Sequence, residues 1–224
     1  MSIRHVALSF VWFIVFGSIH TASAQNNPFG SHLENYASGT LFPDQYSQGQ
    51  MDGFVSDYYD QWKSDWLRTD PGGDGYRVVR DGSGRTTSES QGYGMIIVPN
   101  MAGHDTAAQE VFDGLYTYSR AHPSEGNSQL MDWAQPDATG NRSAFDGDAD
   151  IAYGLLLADK QWGSTGSINY AQEAKTIIEA IHTSTIGPES DLPMLGDWVI
   201  ANGTGSYNQW STRSSDFMNG HFRA

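Results

Sequence analysis

Two short stretches of the chain carry residue types able to move protons or grip a polar polymer. One is Ser88-Glu89-Ser90-Gln91-Gly92-Tyr93-Gly94-Met95, a lone carboxylate among small polar residues, followed by glycines that let backbone or substrate approach closely. The other is Asp146-Gly147-Asp148-Ala149-Asp150. Three carboxylates in five positions repel one another unless a cation, a donor network or an array of sugar hydroxyls satisfies them. A calcium loop of the EF-hand type wants Gly at its sixth position and Glu at its twelfth. Counted from Asp146 those positions hold Ile151 and Leu157, so no metal site is read here. One of the acids is expected to cap the apolar helix that follows, which leaves more carboxylates than capping needs.

Tyr93, Trp133, Trp198, Tyr207 and Trp210 recur near these polar loops. A pyranose ring has apolar C–H faces and hydrogen-bonding edges, so flat aromatic side chains beside carboxylates suit a polysaccharide. Trp62, Trp66 and Trp162 are expected instead to lie in the core.

The elements that must position these residues are mainly helical. Met51, Phe54, Val55, Tyr58, Tyr59, Trp62 and Trp66 recur at three- and four-residue spacing, as on an amphipathic helix. A second helix is expected to begin near Gln91 and to bend or end at Pro99. A third starts after a capping Asp105, with Ala108, Val111, Phe112, Leu115 and Tyr118 inward. Ile151–Trp162 is apolar almost all round, as in a buried helix, and Tyr170, Ala174, Ile177, Ile178 and Ile181 mark one more. Strand-like alternation is scarce. Residues 25–47 lack periodicity and read as an arm over the surface.

The first residues hold Arg4, an apolar run from Val6 to Gly17 and then Ala22-Ser23-Ala24. The run is shorter than the roughly 20 residues of a membrane span, and with the small-residue site it reads as a signal peptide cleaved after Ala24. The expected organisation is a leader over 1–24 and one domain over 25–224, exported to the periplasm or the exterior. With no cysteine in the chain, that domain must hold by packing, without disulfides or thiolate metal sites. The formal charge of −14 repels nucleic acid and anionic membranes and draws in neutral or cationic polymers. A monomer with neither nucleic-acid nor membrane partners is expected, and no cofactor.

The run Ser88–Met95 resembles the S-E-G-Q-G-Y-G-M motif of glycoside hydrolase family 8, once called cellulase family D. Ala144-Phe145-Asp146-Gly147-Asp148-Ala149-Asp150-Ile151-Ala152-Tyr153, running on to Trp162-Gly163, resembles that family's Asp-rich signature. Leu195-Gly196-Asp197-Trp198, and Thr212–Met218 taken together with His221-Phe222-Arg223-Ala224, look like its two later blocks. Four blocks in the right order across 51–224 make a far stronger signal than any one of them. Ser90 stands where Gly is usual, Phe145 where Ser or Thr is, and Gly154 where Ser or Ala is.

The resemblance implies an all-α fold, an (α/α)6 barrel or toroid, incomplete here because the six or so helices counted amount to about half to two-thirds of the domain. It implies an inverting endo-β-1,4-glycanase with Glu89 as general acid and Asp146 gripping and distorting the sugar at the cleavage point. Tyr93, Trp133, Asp148, Asp150, Trp198 and Arg213 are the expected substrate contacts, and Asp148 or Asp150 orients the loop. Glu89 is expected to be held protonated by partial burial and by its carboxylate neighbours. The water-activating base is expected beyond Ala224, so the chain alone should be nearly inactive; were it active, Asp197 or Asp216 would be the base. The expected polymer is β-1,4-glucan, as cellulose or mixed-linkage glucan, then chitosan, then xylan. A carbohydrate-binding protein without catalysis is the rival of another class.

Overall fold

The computed structural model describes residues 25–33, 36–136 and 141–224. The expected leader over 1–24 lies outside the described residues. Five α-helices carry the described fold: α1 (Gln48–Trp66), α2 (Ser88–Asn100), α3 (Ala108–Ala121), α4 (Phe145–Trp162) and α5 (Tyr170–Thr185). That is one fewer than the sequence count of six or so. The region after α5 forms only two short 3-10 turns, Ser214–Asp216 and His221–Arg223, its glycines and prolines favouring loops. Among the described residues no helix is long and apolar enough to cross a membrane.

The strands are short connectors. β1 (Leu67–Thr69) pairs antiparallel with β2 (Tyr76–Val78), and β3 (Thr86–Thr87) with β4 (Ala134–Gln135). The second pair places Thr87 opposite Ala134, and the contact continues as Ser88 N–H donates to Trp133 O at 3.0 Å. The Glu89 stretch and Trp133 are thereby held side by side.

Helix α2 begins three residues before the expected Gln91 because Thr87 and Ser90 form a reciprocal capping box. The Thr87 hydroxyl accepts from Ser90 N–H at 3.1 Å, and Ser90 Oγ accepts from Thr87 N–H at 2.9 Å. A glycine at 90 would lose the second bond, so the Ser90 departure has a structural reason. Pro99 sits in the last turn, as expected. Buried Gln91 ties α2 to its surroundings, accepting from Val78 N–H at 3.0 Å and donating to Leu115 O at 2.8 Å.

Helices α2 and α4 make the closest contact, with α3 behind α2 and α5 behind α4. Phe112, Leu115, Met95, Val98, Leu130, Ile151 and Leu155 fill the core between them, each almost wholly excluded from water. Three glycines allow the approach. A Cβ on Gly92 would stand 2.4 Å from Asp150 Cβ, one on Gly147 2.1 Å from Ser88 Oγ, and one on Gly154 2.8 Å from Met95 Cβ. Gly154 thus accounts for its own departure from the family pattern.

Helix α1 is joined to the start of α3 by Asp105, whose Oδ2 accepts from Tyr59 Oη and Lys63 Nζ, each at 2.6 Å. Its apolar stripe is only partly covered: Tyr59 is buried, whereas Phe54, Val55 and Tyr58 are exposed. Trp162 lies in the core as expected, but Trp66 is exposed and Trp62 half-buried.

Gly154→Ala should cost about 1–3 kcal/mol through overpacking, seen as a fall of about 2–12 °C in melting temperature. Gly49→Ala, on an exposed turn of α1 with nothing within 4 Å of its new methyl, should instead stabilise by about 0.5–1 kcal/mol. Equal melting temperatures for the two variants would contradict the tight α2–α4 contact.

Candidate active site

The close contact of α2 and α4 sets the first turns of both helices at one end of the fold. Glu89 is in the first turn of α2 and Asp146 in the first turn of α4, where the backbone N–H groups of a helix favour negative charge. Asp146 Oδ1 accepts from Gly147 N–H at 2.9 Å and faces Arg213 Nη2 at 3.4 Å. The guanidinium is shared, because Arg213 Nε also donates to buried Asp216 at 3.1 Å. Tyr93, one turn along α2, donates its hydroxyl to Glu89 Oε1 at 3.0 Å. Burial and then the Glu89 hydrogen bond push the Tyr93 hydroxyl up to about 12, so it stays a donor.

Glu89 itself is exposed, not partly buried as expected, because it points away from its buried neighbours Ser88 and Ser90 and opens on a cleft. The expected carboxylate neighbours are present. Burial first, then the charges of Asp146 and Glu89, push the Asp150 carboxyl up to about 7.

Two clefts flank this acidic end. One, of about 460 Å³, is lined by Trp133, Trp198 and Arg213 with Arg142, Ser143 and Leu195. The other, of about 400 Å³, is lined by Glu89, Tyr93, Trp62, Trp66 and Arg80. Trp133 is half-buried with the Arg85 guanidinium 4.9 Å over its ring, and Trp198 is exposed with Tyr207 edge-on at 5.5 Å. Glu89, Tyr93, Asp146, Trp133, Trp198 and Arg213 are therefore brought to one face.

Asp148 and Asp150 are not on that face. Both are 1 % exposed, which removes them from contact with a sugar, because Asp148 turns onto the loop at Met131 and Asp150 into the α2–α4 contact beside Gly92. Asp148 Oδ1 accepts from Met131 N–H at 2.8 Å, so this acid anchors the loop that carries Trp133. Neither Asp146 nor Asp148 caps α4, whose N-cap is Ala144 with no side-chain cap bond.

Asp197 and Asp216 are both committed elsewhere. Asp197 accepts from Asn127 N–H and Ser143 N–H at 3.0 Å each and from the Ser124 hydroxyl, clasping three loops. Asp216 is fully buried against Arg213. The sequence reading missed the clasp of Asp197, the cleft role of Trp62 and Trp66, and His221, whose Nε2 lies 2.9 Å from Asp150 Oδ1. A separation of 71 residues leaves no spacing signal for that last pair.

Residues 40–190 match the family model Glycosyl hydrolases family 8. The whole chain aligns at 44 % identity with 54 % of a β-glucanase of Niallia circulans, and 92 % of it at 42 % identity with 46 % of an endoglucanase of Bacillus sp. strain KSM-330. The apo structure of the β-1,3-1,4-glucanase from Paenibacillus sp. X4 superposes with a TM-score of 0.83 at 47 % identity, covering 90 % of this chain and 53 % of that one. The chain therefore belongs to glycoside hydrolase family 8. It spans about half the length of these relatives. The all-α toroid expected from the motifs stands, with the described helices forming an arc of it.

Burial, assisted by the charge of Asp197, holds the Asp148 carboxyl well above the usual carboxylate range. The folded chain then keeps a proton that the unfolded chain has released, so this residue's contribution to stability falls as pH rises above the ordinary carboxylate range. Asp148→Asn retains an acceptor for Met131 N–H and removes the titration. Its melting temperature should fall less than that of the parent chain between about pH 5 and about pH 8. The reverse ordering would contradict a buried, proton-holding Asp148.

Proposed function

We propose that this chain carries the acid-bearing part of a secreted, inverting endo-β-1,4-glycanase that hydrolyses β-1,4-linked glucan. The observation that carries the reading is the exposed Glu89, bonded to Tyr93, opening one aromatic-lined cleft and standing beside Asp146 at the edge of another. Glu89 donates its proton to the glycosidic oxygen. Asp146, oriented by Gly147 N–H and Arg213, hydrogen-bonds the sugar at the cleavage point and stabilises its distorted ring. Trp133 and Trp198 on one side, and Tyr93 and Trp66 on the other, offer flat faces to successive pyranose rings.

Inversion also needs a second carboxylate roughly 6.5–9.5 Å from the acid, with room for a water between them. The prior commitments of Asp197 and Asp216 argue against either one, and the base is assigned to none of the described residues. Mixed-linkage glucan is the first substrate, supported by the likeness to the Paenibacillus β-1,3-1,4-glucanase. Chitosan is the alternative that the acidic field favours. Secretion is supported by the leader-like residues 1–24, and no partner beyond the polysaccharide is assigned.

Reducing-sugar release from lichenan, carboxymethyl-cellulose and chitosan tests the reading, measured on the chain joined to the segment that supplies the base and on the Glu89→Gln variant of that form. Hydrolysis should be fastest on lichenan and fall by about 10²–10⁴-fold in the variant. Undiminished hydrolysis by Glu89→Gln would remove Glu89 as the acid. Quenching of tryptophan fluorescence by lichenan oligosaccharides, with no hydrolysis by either form, would favour the carbohydrate-binding alternative.

A further inference from the structure

Asp150 sits one turn beyond Asp146 on α4, wedged against α2 where Gly92 leaves it room. Its side chain is 2 % exposed. One oxygen, Oδ1, lies 2.9 Å from His221 Nε2, while Oδ2 has no hydrogen-bond partner among the described residues. Glu89 faces it from α2, where Tyr93 also lies, and Asp146 faces it from its own helix. From the segment after α5, Arg213 is engaged with both Asp216 and Asp146, which leaves His221 as the basic group bonded to Asp150. The His221 ring is fixed against Tyr153, with centroids 4.2 Å apart.

A buried carboxylate with one donor, beside two further carboxylates, is costly as an anion. An imidazolium half removed from water is costly too. The two groups respond in opposite directions, Asp150 upward and His221 downward, the latter through burial. Their titrations then belong to the pair and not to either residue.

We propose that Asp150 and His221 share a single proton along the Oδ1–Nε2 axis and act as positioning residues for the acid at Glu89. With the proton bound, the couple carries no net charge. When it is lost to solvent, Asp150 is left anionic and His221 neutral, and a negative charge appears beside Glu89 and Asp146. The positioning role rests on the reading of Glu89 as the acid; the couple itself does not.

The couple is tested by NMR titration of the unliganded chain, with His221 assigned by the loss of its signals in His221→Gln. In the parent chain the His221 ring and the Asp150 carboxyl carbon should shift together with a common midpoint. In Asp150→Asn the imidazole loses its anionic partner, and its midpoint should fall by about one pH unit or more. Separate midpoints in the parent chain overturn the couple without any variant, as does an unchanged His221 midpoint in a folded Asp150→Asn. The positioning role is read from lichenan hydrolysis by the base-bearing form, where Asp150→Asn removes the negative neighbour and should move the alkaline limb of the pH profile downward by on the order of one unit. A loss of rate equal at every pH would mean a packing role only and would overturn the positioning claim. If hydrolysis survives Glu89→Gln, the acid assignment fails, while a common midpoint would leave the couple standing.

Discussion

The site depends on how closely α2 and α4 approach. Gly92, Gly147 and Gly154 each stand where a methyl group would collide with the opposite helix. That contact, with the core of Met95, Leu115, Ile151 and Leu155 around it, fixes the relative height of the two helices. Their first turns end up level, and the first turns carry Glu89 and Asp146. The short β3–β4 pair adds lateral register, since its ladder runs on from Thr87 to Ser88 opposite Trp133. The placement of Glu89 and Asp146 is thus set by helix packing, and that of Trp133 by a short ladder and an anchored loop.

Packing two helix N-termini together also concentrates charge. Glu89, Asp146, Asp150 and Asp216 influence one another, and one guanidinium and one imidazole offset them. The carboxylates are kept apart in role by burial. Glu89 is exposed and hydrogen-bonded by a phenol, Asp146 is partly exposed and paired with Arg213, and Asp148 and Asp150 are enclosed. The same residue type therefore faces solvent at Asp146 and anchors the interior at Asp148, two positions along the first turn of α4.

Much of this was legible in the sequence. The spacing of Val111, Phe112 and Leu115, and the apolar run from Ile151, located helices whose bodies match the structure, because a 3.6-residue period is a local property. The family blocks located Glu89 and Asp146 because each lies inside one contiguous motif. The start of α2 was missed since its cap is built from Thr87 and Ser90, small residues that carry no apolar period. The burial of Asp148 and Asp150 was illegible because neighbouring helices decide it. Trp66 resembled a core residue on its own helix face, yet the partner surfaces that would bury it are not supplied by α2 or α3. Pairing between His221 and Asp150 depends on tertiary proximity alone.

The central claim is that a β-glucan lies across the two helix N-termini with its scissile bond at Glu89. A crystal structure of Glu89→Gln bound to a mixed-linkage glucan oligosaccharide tests it most directly. The account predicts a glycosidic oxygen within hydrogen-bond reach, about 2.6–3.2 Å, of the side chain at position 89. It also predicts a sugar hydroxyl on Asp146 and rings stacked on Trp133 or Trp198. A bound oligosaccharide whose linkages all lie beyond the reach of position 89 would contradict it.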